Sequence, residues 1–187
     1  CSPRTHRRLA YDLSAASGAT CLLPDYRLAP ENRFPAAVDD AVAVYRQLLD
    51  DGTDATKVVI GGDSAGGGLT VAALLAAREA GLPMPAGAVC ISPWTDMEAT
   101  GESIQTKAAV HPMVRLDRLQ KMVDWYLDGS DPRHPHASPI HADLSGLPPM
   151  LIQVGSDEIL LDDAERLAEG ARAQGVSVVY EEWERMF

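Results

Sequence analysis

Gly62-Asp63-Ser64-Ala65-Gly66 decides how this chain is read. It follows the apolar run Val58-Val59-Ile60-Gly61 and opens an alanine-rich stretch carrying Leu69, Val71, Leu74 and Leu75, bounded by Gly81. The pattern is G-x-S-x-G, in which a strand turns sharply into a helix with a serine at the apex. Small residues on either side let the backbone take a strained turn that lifts the Ser64 hydroxyl clear of the sheet. The N–H of Ala65, at the helix N-terminus, then points to where an oxyanion would form. Ser64 is the candidate nucleophile and Ala65 the candidate oxyanion donor. The bland alternative is a glycine-rich strand-to-helix turn that only packs closely.

Composition narrows the field. A chain of 187 residues reads as one domain, and a domain of that size buries roughly 70% of its unfolded surface. A net charge of −11 argues against nucleic acid and anionic membrane surfaces as partners. No apolar run approaches the ~18 residues of a membrane span, and nothing resembles a signal peptide, so a cytoplasmic location is expected. Cys1, Cys21 and Cys90 lack CxxC spacing and read as small apolar residues rather than disulfides or ligands.

Elements alternate along the chain. Arg4 to Ala16 reads as a helix ending at Gly18, followed by a short strand at Ala19 to Leu23. Phe34-Pro35 opens a second helix whose buried face is Ala37, Val38, Ala41, Val42, Tyr45, Leu48 and Leu49, with Gly52 as its stop. Lys57 to Gly61 is the strand before the elbow and Ala65 to Ala80 the helix after it. Ala88 to Ile91, Met150 to Val154 and Val176 to Tyr180 are further strands. The last two flank a helix with Leu161, Ala164, Leu167, Ala168 and Ala171 on one side. This alternation predicts an α/β fold, a mostly parallel sheet with helices on both faces. Residues 92–149 break the pattern with one amphipathic segment, Leu116, Leu119, Val123 and Tyr126. Such an insertion is expected over the strand ends, shaping a pocket.

Several blocks together resemble the bacterial hormone-sensitive-lipase-like (family IV) esterases of the α/β-hydrolase fold. Asp25-Tyr26-Arg27-Leu28-Ala29-Pro30-Glu31 with Phe34-Pro35-Ala36-Ala37 and Asp39-Asp40 is similar to that family's YRLAPE-x-x-FPAA-x-D block. Gly62-Asp63-Ser64-Ala65-Gly66-Gly67 resembles its GDSAGG elbow, and Ser92-Pro93-Trp94-Thr95-Asp96 its SPW-x-D segment. Asp131-Pro132, Ser138-Pro139 and Leu147-Pro148-Pro149 follow in its order. The resemblance covers nearly the whole chain and implies an α/β-hydrolase in partial form, with 92–149 as the pocket-shaping insertion.

The resemblance also implies a catalytic acid, in the pattern D-P-L-x-D. Counted without gaps from Pro148-Pro149, that position falls on Glu158, with Asp157 the runner-up. Either carboxylate can orient a histidine. The alternative, a pair of solvated carboxylates leading into a helix, stays open beside Asp162 and Asp163.

Two family parts lie outside these residues: the HGGG oxyanion loop, expected just before Ser2-Pro3-Arg4-Thr5-His6-Arg7, and the catalytic histidine, expected directly after Trp183-Glu184-Arg185-Met186-Phe187. In the resembled fold, the strand before the glycine loop lies between the strand at Ala19–Leu23 and that at Lys57–Gly61. The 187 residues alone are therefore expected to be a poor catalyst that folds badly, with unpaired strand edges. The histidines present precede the acid, whereas the order in this fold is serine, acid, histidine. His6 and His111 read as helix or loop residues, and His134, His136 and His141 as a polar, proline-punctuated loop rather than a metal cluster.

The expected function is carboxylic ester hydrolysis through a serine acyl-enzyme, with no metal and no cofactor, and the resemblance implies small esters of short to medium acyl chain as substrates. Asp63 and Trp94 are expected at the substrate pocket, although a buried tryptophan equally fits plain core. The expected partner is a small-molecule ester, without membrane insertion, and a homodimer is left open. Two rivals stand beside this reading: a non-catalytic small-molecule binder, like the plant gibberellin receptor that resembles the family, and an amide or lactone hydrolase.

Overall fold

Four strands run parallel in chain order, β1 (Val59–Asp63), β2 (Gly87–Ile91), β3 (Met150–Gly155) and β4 (Val178–Trp183). The computed structural model describes residues 2–108 and 116–187. The expectations for Cys1 and His111 lie outside the described residues, as does the side chain of Leu116. Register is continuous across the sheet: Gly62 pairs with Cys90, Cys90 with Ile152, and Ile152 with Tyr180.

Six α-helices are described: α1 (Pro3–Ser17), α2 (Ala36–Asp50), α3 (Ala65–Glu79), α4 (Ser103–Thr106), α5 (Leu116–Leu127) and α6 (Leu161–Ala173). Helix α3 is the centre of the packing. Its Val71, Leu74 and Leu75 meet Ala88, Cys90, Met150 and Ile152 of the sheet, and Ala164, Leu167, Ala168 and Ala171 of α6 join them. Alternate strand positions, Ile60, Ala88, Cys90, Ile152 and Tyr180, supply that face. The other face carries Val59 and Val179, both more than half exposed, and no residue of α1 is buried. The helices packed on the sheet among the described residues thus gather on one face.

The strand expected at Ala19–Leu23 does not form. No ladder partner reaches it among the described residues, and Leu22 and Leu23 are exposed. A strand needs a neighbour to satisfy its N–H and C=O groups, and β1, an edge of this sheet, pairs only with β2. The α2 face expected from spacing is observed, with Ala37, Val38 and Tyr45 buried.

A second cluster, built from the insertion, lies beyond the sheet. Trp94, Met97, Ile104, Leu119, Val123 and Leu127 pack with Ile159 and Leu160, the residues that follow Glu158. The segment before α2 is also tied to the helix, since Arg27 clamps Asp40 with Nη2 at 2.7 Å from Oδ1 and its own N–H at 2.8 Å from Oδ2. Among the described residues no helix is long and apolar enough to cross a membrane.

Candidate active site

Ser64 sits at the junction of β1 and α3 with φ 55° and ψ −120°. That is left-handed backbone for a non-glycine residue, conformational strain of about 1–3 kcal/mol held by its surroundings. Four backbone hydrogen bonds hold it there. Ser64 N–H donates to the Ile91 carbonyl at 2.8 Å, and its own carbonyl accepts from Trp94 N–H at 3.0 Å and from Gly67 and Gly68 at 3.0 and 3.3 Å. Gly62 is required by close approach, because a Cβ there would meet the backbone carbonyl of Gly66. Ser64 and Ala65 are both exposed, and no described residue accepts the Ala65 N–H. A free first-turn donor beside an exposed hydroxyl is the arrangement that an oxyanion needs.

The two carboxylates that the sequence sets side by side are placed differently. Glu158 is 6% exposed, and its Oε1 accepts from Ser92 Oγ at 2.7 Å and from Gly155 N–H at 2.8 Å. Asp157 is more exposed, its carboxylate 4.0 Å from Lys107 Nζ. Ser92 and Ile91 are consecutive, so the end of β2 holds the backbone of Ser64 with one residue and the carboxylate of Glu158 with the next. The loop carrying Glu158 is also bound to the end of β4 and the segment after it. Ser156 N–H donates to Trp183 O at 2.9 Å, Arg185 N–H to Ser156 Oγ at 2.8 Å and Asp157 N–H to Met186 O at 3.0 Å. At Gly155 a Cβ would run into that same Met186 carbonyl.

Asp63 pairs with His6 of α1, Oδ1 lying 3.1 Å from Nε2. Tyr26 belongs to the same neighbourhood, its phenol pushed up by burial and further by the charge of Asp63. Trp94 is buried in the insertion cluster, with its indole N–H donating to Asp96 O at 3.1 Å. It reaches the elbow through its backbone N–H rather than by exposed indole surface.

Beneath the insertion lies a buried polar knot. Asp163 Oδ2 accepts from the N–H groups of Thr95 and Asp96 at 2.7 and 2.9 Å, while Oδ1 has no partner among the described residues. Burial pushes Asp163 up to about 7, against those two hydrogen bonds. Burial also raises Asp96, but Thr100, Arg166 and the Glu98 N–H outweigh it and hold that carboxyl below its usual range. Asp96, Glu98 and His141 bring ligand-type atoms within 4.8 Å of one another. Asp96 already spends its oxygens on Thr100, Glu98 N–H and Arg166 Nη1, which leaves little for a cation. His136 pairs instead with Glu79 at 3.1 Å, and His134 stacks edge-on against Phe34.

No spacing or motif in the sequence assigns Ser92, Tyr26 and His6 a role at the elbow. Ser92 carries one partial signal, its place at the end of a strand ahead of Pro93-Trp94.

Comparison with known proteins agrees with this arrangement. A family model described as the alpha/beta hydrolase fold matches residues 1–187. An acetyl-hydrolase of Streptomyces hygroscopicus is 53% identical over 186 residues, covering 100% of this chain and 62% of that protein. An esterase of Acinetobacter venetianus is 39% identical, over 95% of this chain and 59% of its own length. The crystal structure of an esterase from the bacterial hormone-sensitive lipase (HSL) family superposes with a TM-score of 0.98 at 53% identity, covering 100% of this chain and 63% of that one. A structure of EstE5 soaked with p-nitrophenyl butyrate gives a TM-score of 0.97 at 53% identity, over 63% of its length. The chain spans about 60% of the length of these relatives and belongs to the alpha/beta hydrolase family, beside the esterases of the bacterial hormone-sensitive lipase group.

Proposed function

We propose that the protein is a carboxylic ester hydrolase acting on small esters of short to medium acyl chain through a serine acyl-enzyme. The observation that carries this reading is the exposed Ser64 hydroxyl on a left-handed turn, with a free Ala65 N–H beside it and a buried carboxylate, Glu158, fixed to the same strand end. Ser64 Oγ attacks the acyl carbonyl, and the Ala65 N–H stabilises the oxyanion that forms. A histidine takes the serine proton and returns it to the leaving alcohol, while Glu158 orients its ring. The hydrogen bonds between 155–157 and 183–186 hold the Arg185-Met186 segment against the loop that carries Glu158, which supports a histidine next along the chain as the ring that Glu158 orients. Water then cleaves the acyl-enzyme, and no cofactor enters the cycle.

The 92–149 segment forms the pocket wall, with Trp94 packed within it and Asp63 at the rim beside Ser64. The names of the relatives, acetyl-hydrolase and esterase, and the p-nitrophenyl butyrate soaked into EstE5 support small acyl esters as substrates. A cytoplasmic location belongs to the same reading and a homodimer is left open, the two testable by cell fractionation and light scattering. The decisive experiment is a panel of p-nitrophenyl esters from acetate to decanoate, with matched amides, on the intact protein and its Ser64→Ala variant. Turnover of short esters that vanishes in the variant supports the proposal. Wild-type turnover in Ser64→Ala, or saturable binding without turnover in the parent, overturns it.

A further inference from the structure

Ser92 occupies a position that favours glycine. Its φ is 46°, in the left-handed region that side-chain-bearing residues seldom adopt. Glycine would take this conformation without strain, so the serine side chain needs a reason to be there. Its contacts supply one. Ser92 Oγ donates to Glu158 Oε1 at 2.7 Å, and Ser92 N–H donates to Gln153 O on β3 at 2.7 Å. The residue before it, Ile91, accepts the N–H of Ser64 at 2.8 Å.

We propose that Ser92 is a positioning residue for the acid: its left-handed backbone aims the hydroxyl at Glu158 and fixes which carboxylate oxygen faces the histidine. This rests on the catalytic reading of Ser64 and Glu158 above. A glutamate carries one methylene more than the aspartate of the D-P-L-x-D pattern, and its longer chain has more freedom to lose on being held. Two donors on Oε1, Ser92 Oγ and Gly155 N–H, remove that freedom. Both described bonds fall on Oε1, so Oε2 is the oxygen left for an imidazole N–H. The Gly155 donor is backbone, whereas the Ser92 donor is a side chain that a substitution can remove. Because Ile91 and Ser92 are consecutive, one short segment sets the distance between nucleophile and acid.

The test is steady-state kinetics on the intact protein with p-nitrophenyl butyrate, with fluorophosphonate labelling of Ser64 to count folded sites. Ser92→Gly keeps the backbone conformation and removes the donor. It is expected to label and melt like the parent, while kcat falls roughly tenfold to hundredfold, as for loss of a hydrogen bond to a charged group, with KM unchanged. Ser92→Asn tolerates left-handed backbone and carries an N–H donor, so it is expected to recover most of kcat. In a Glu158→Gln background, Ser92→Gly is expected to change kcat by less than about twofold, because the two residues act as one unit. Unchanged kcat in Ser92→Gly, or an equal loss in the parent and Glu158→Gln backgrounds, overturns the proposal. If Ser64→Ala keeps wild-type turnover, the catalytic reading itself fails, which the same assay separates from failure of the role of Ser92.

Discussion

Ser64 N–H donates to the carbonyl of Ile91 at 2.8 Å, so the nucleophile turn hangs from the end of the neighbouring strand as well as from its own helix. The turn is strained, and the strain has a measurable consequence. At φ 55° and ψ −120° a serine costs about 1–3 kcal/mol that a glycine would not. Ser64→Gly is therefore expected to raise the melting temperature relative to Ser64→Ala, although both abolish turnover. Glycine gives back about 0.5–1 kcal/mol through its floppier unfolded chain, so the net gain is about 1 kcal/mol. Calorimetry on the two variants checks this, and equal melting points would limit the strain to the roughly 0.5–1 kcal/mol that the glycine loses through its unfolded chain.

Glu158 and Asp157 differ in surroundings more than in chemistry. Glu158 is buried and doubly hydrogen-bonded, while Asp157 faces Lys107 at 4.0 Å from a partly exposed position. Glu158→Gln is expected to lower kcat by about 10²–10⁴-fold, the loss seen when the group orienting a catalytic histidine is neutralised. Asp157→Asn is expected to stay within about threefold of the parent, as exposed ion pairs contribute little. The reverse order of effects would move the acid to Asp157.

Spacing made the helices legible and left the polar geometry hidden. The faces of α2 and α6 follow directly from apolar residues three and four apart, because those faces bury against local neighbours. The strand expected at Ala19–Leu23 is different, since a strand depends on a partner that need not be near it in sequence, and none meets it among the described residues. The elbow was readable because G-x-S-x-G encodes backbone geometry in residue size. Ser92 was not, because a left-handed serine looks like any other serine until its φ is known. Likewise the sequence presents Asp39 and Asp40 as equals, and only the fold shows that Arg27 clamps Asp40.

The two outer glycines of the elbow are not equivalent. A Cβ on Gly62 would collide with the backbone of Gly66, whereas a Cβ on Gly66 meets nothing within 4 Å. Gly62→Ala is expected to destabilise the protein by about 1–3 kcal/mol, the usual cost of forcing an atom into occupied space. Gly66→Ala lies in the first turn of α3 and is expected to be neutral or to stabilise by about 0.4–1 kcal/mol. Urea unfolding of both variants measures the difference, and an equal loss would show that helix packing rather than backbone contact governs the motif.

Asp163 gives stability a pH dependence of unusual sign. Most native carboxylates, Asp96 among them, are held below their usual range and contribute stability that is lost as pH falls. Asp163 is fully buried with Oδ1 unpartnered among the described residues, and burial lifts it to about 7, with the charge of Asp96 adding to the rise and Arg166 opposing it. In the unfolded chain the same carboxyl titrates near about 4. The folded state therefore binds this proton more tightly, so the contribution is fully present below about pH 4 and declines as pH rises to about 7. Above that it is flat. Asp163→Asn keeps an acceptor for the N–H groups of Thr95 and Asp96 and has no proton to lose. Its stability, measured by urea unfolding from pH 4 to 8, is expected to gain on the parent steadily through that window and level off beyond about pH 7. A constant difference between the two proteins across the range would mean that Asp163 is ionised throughout, with the hydrogen bonds from Thr95 and Asp96 outweighing its burial.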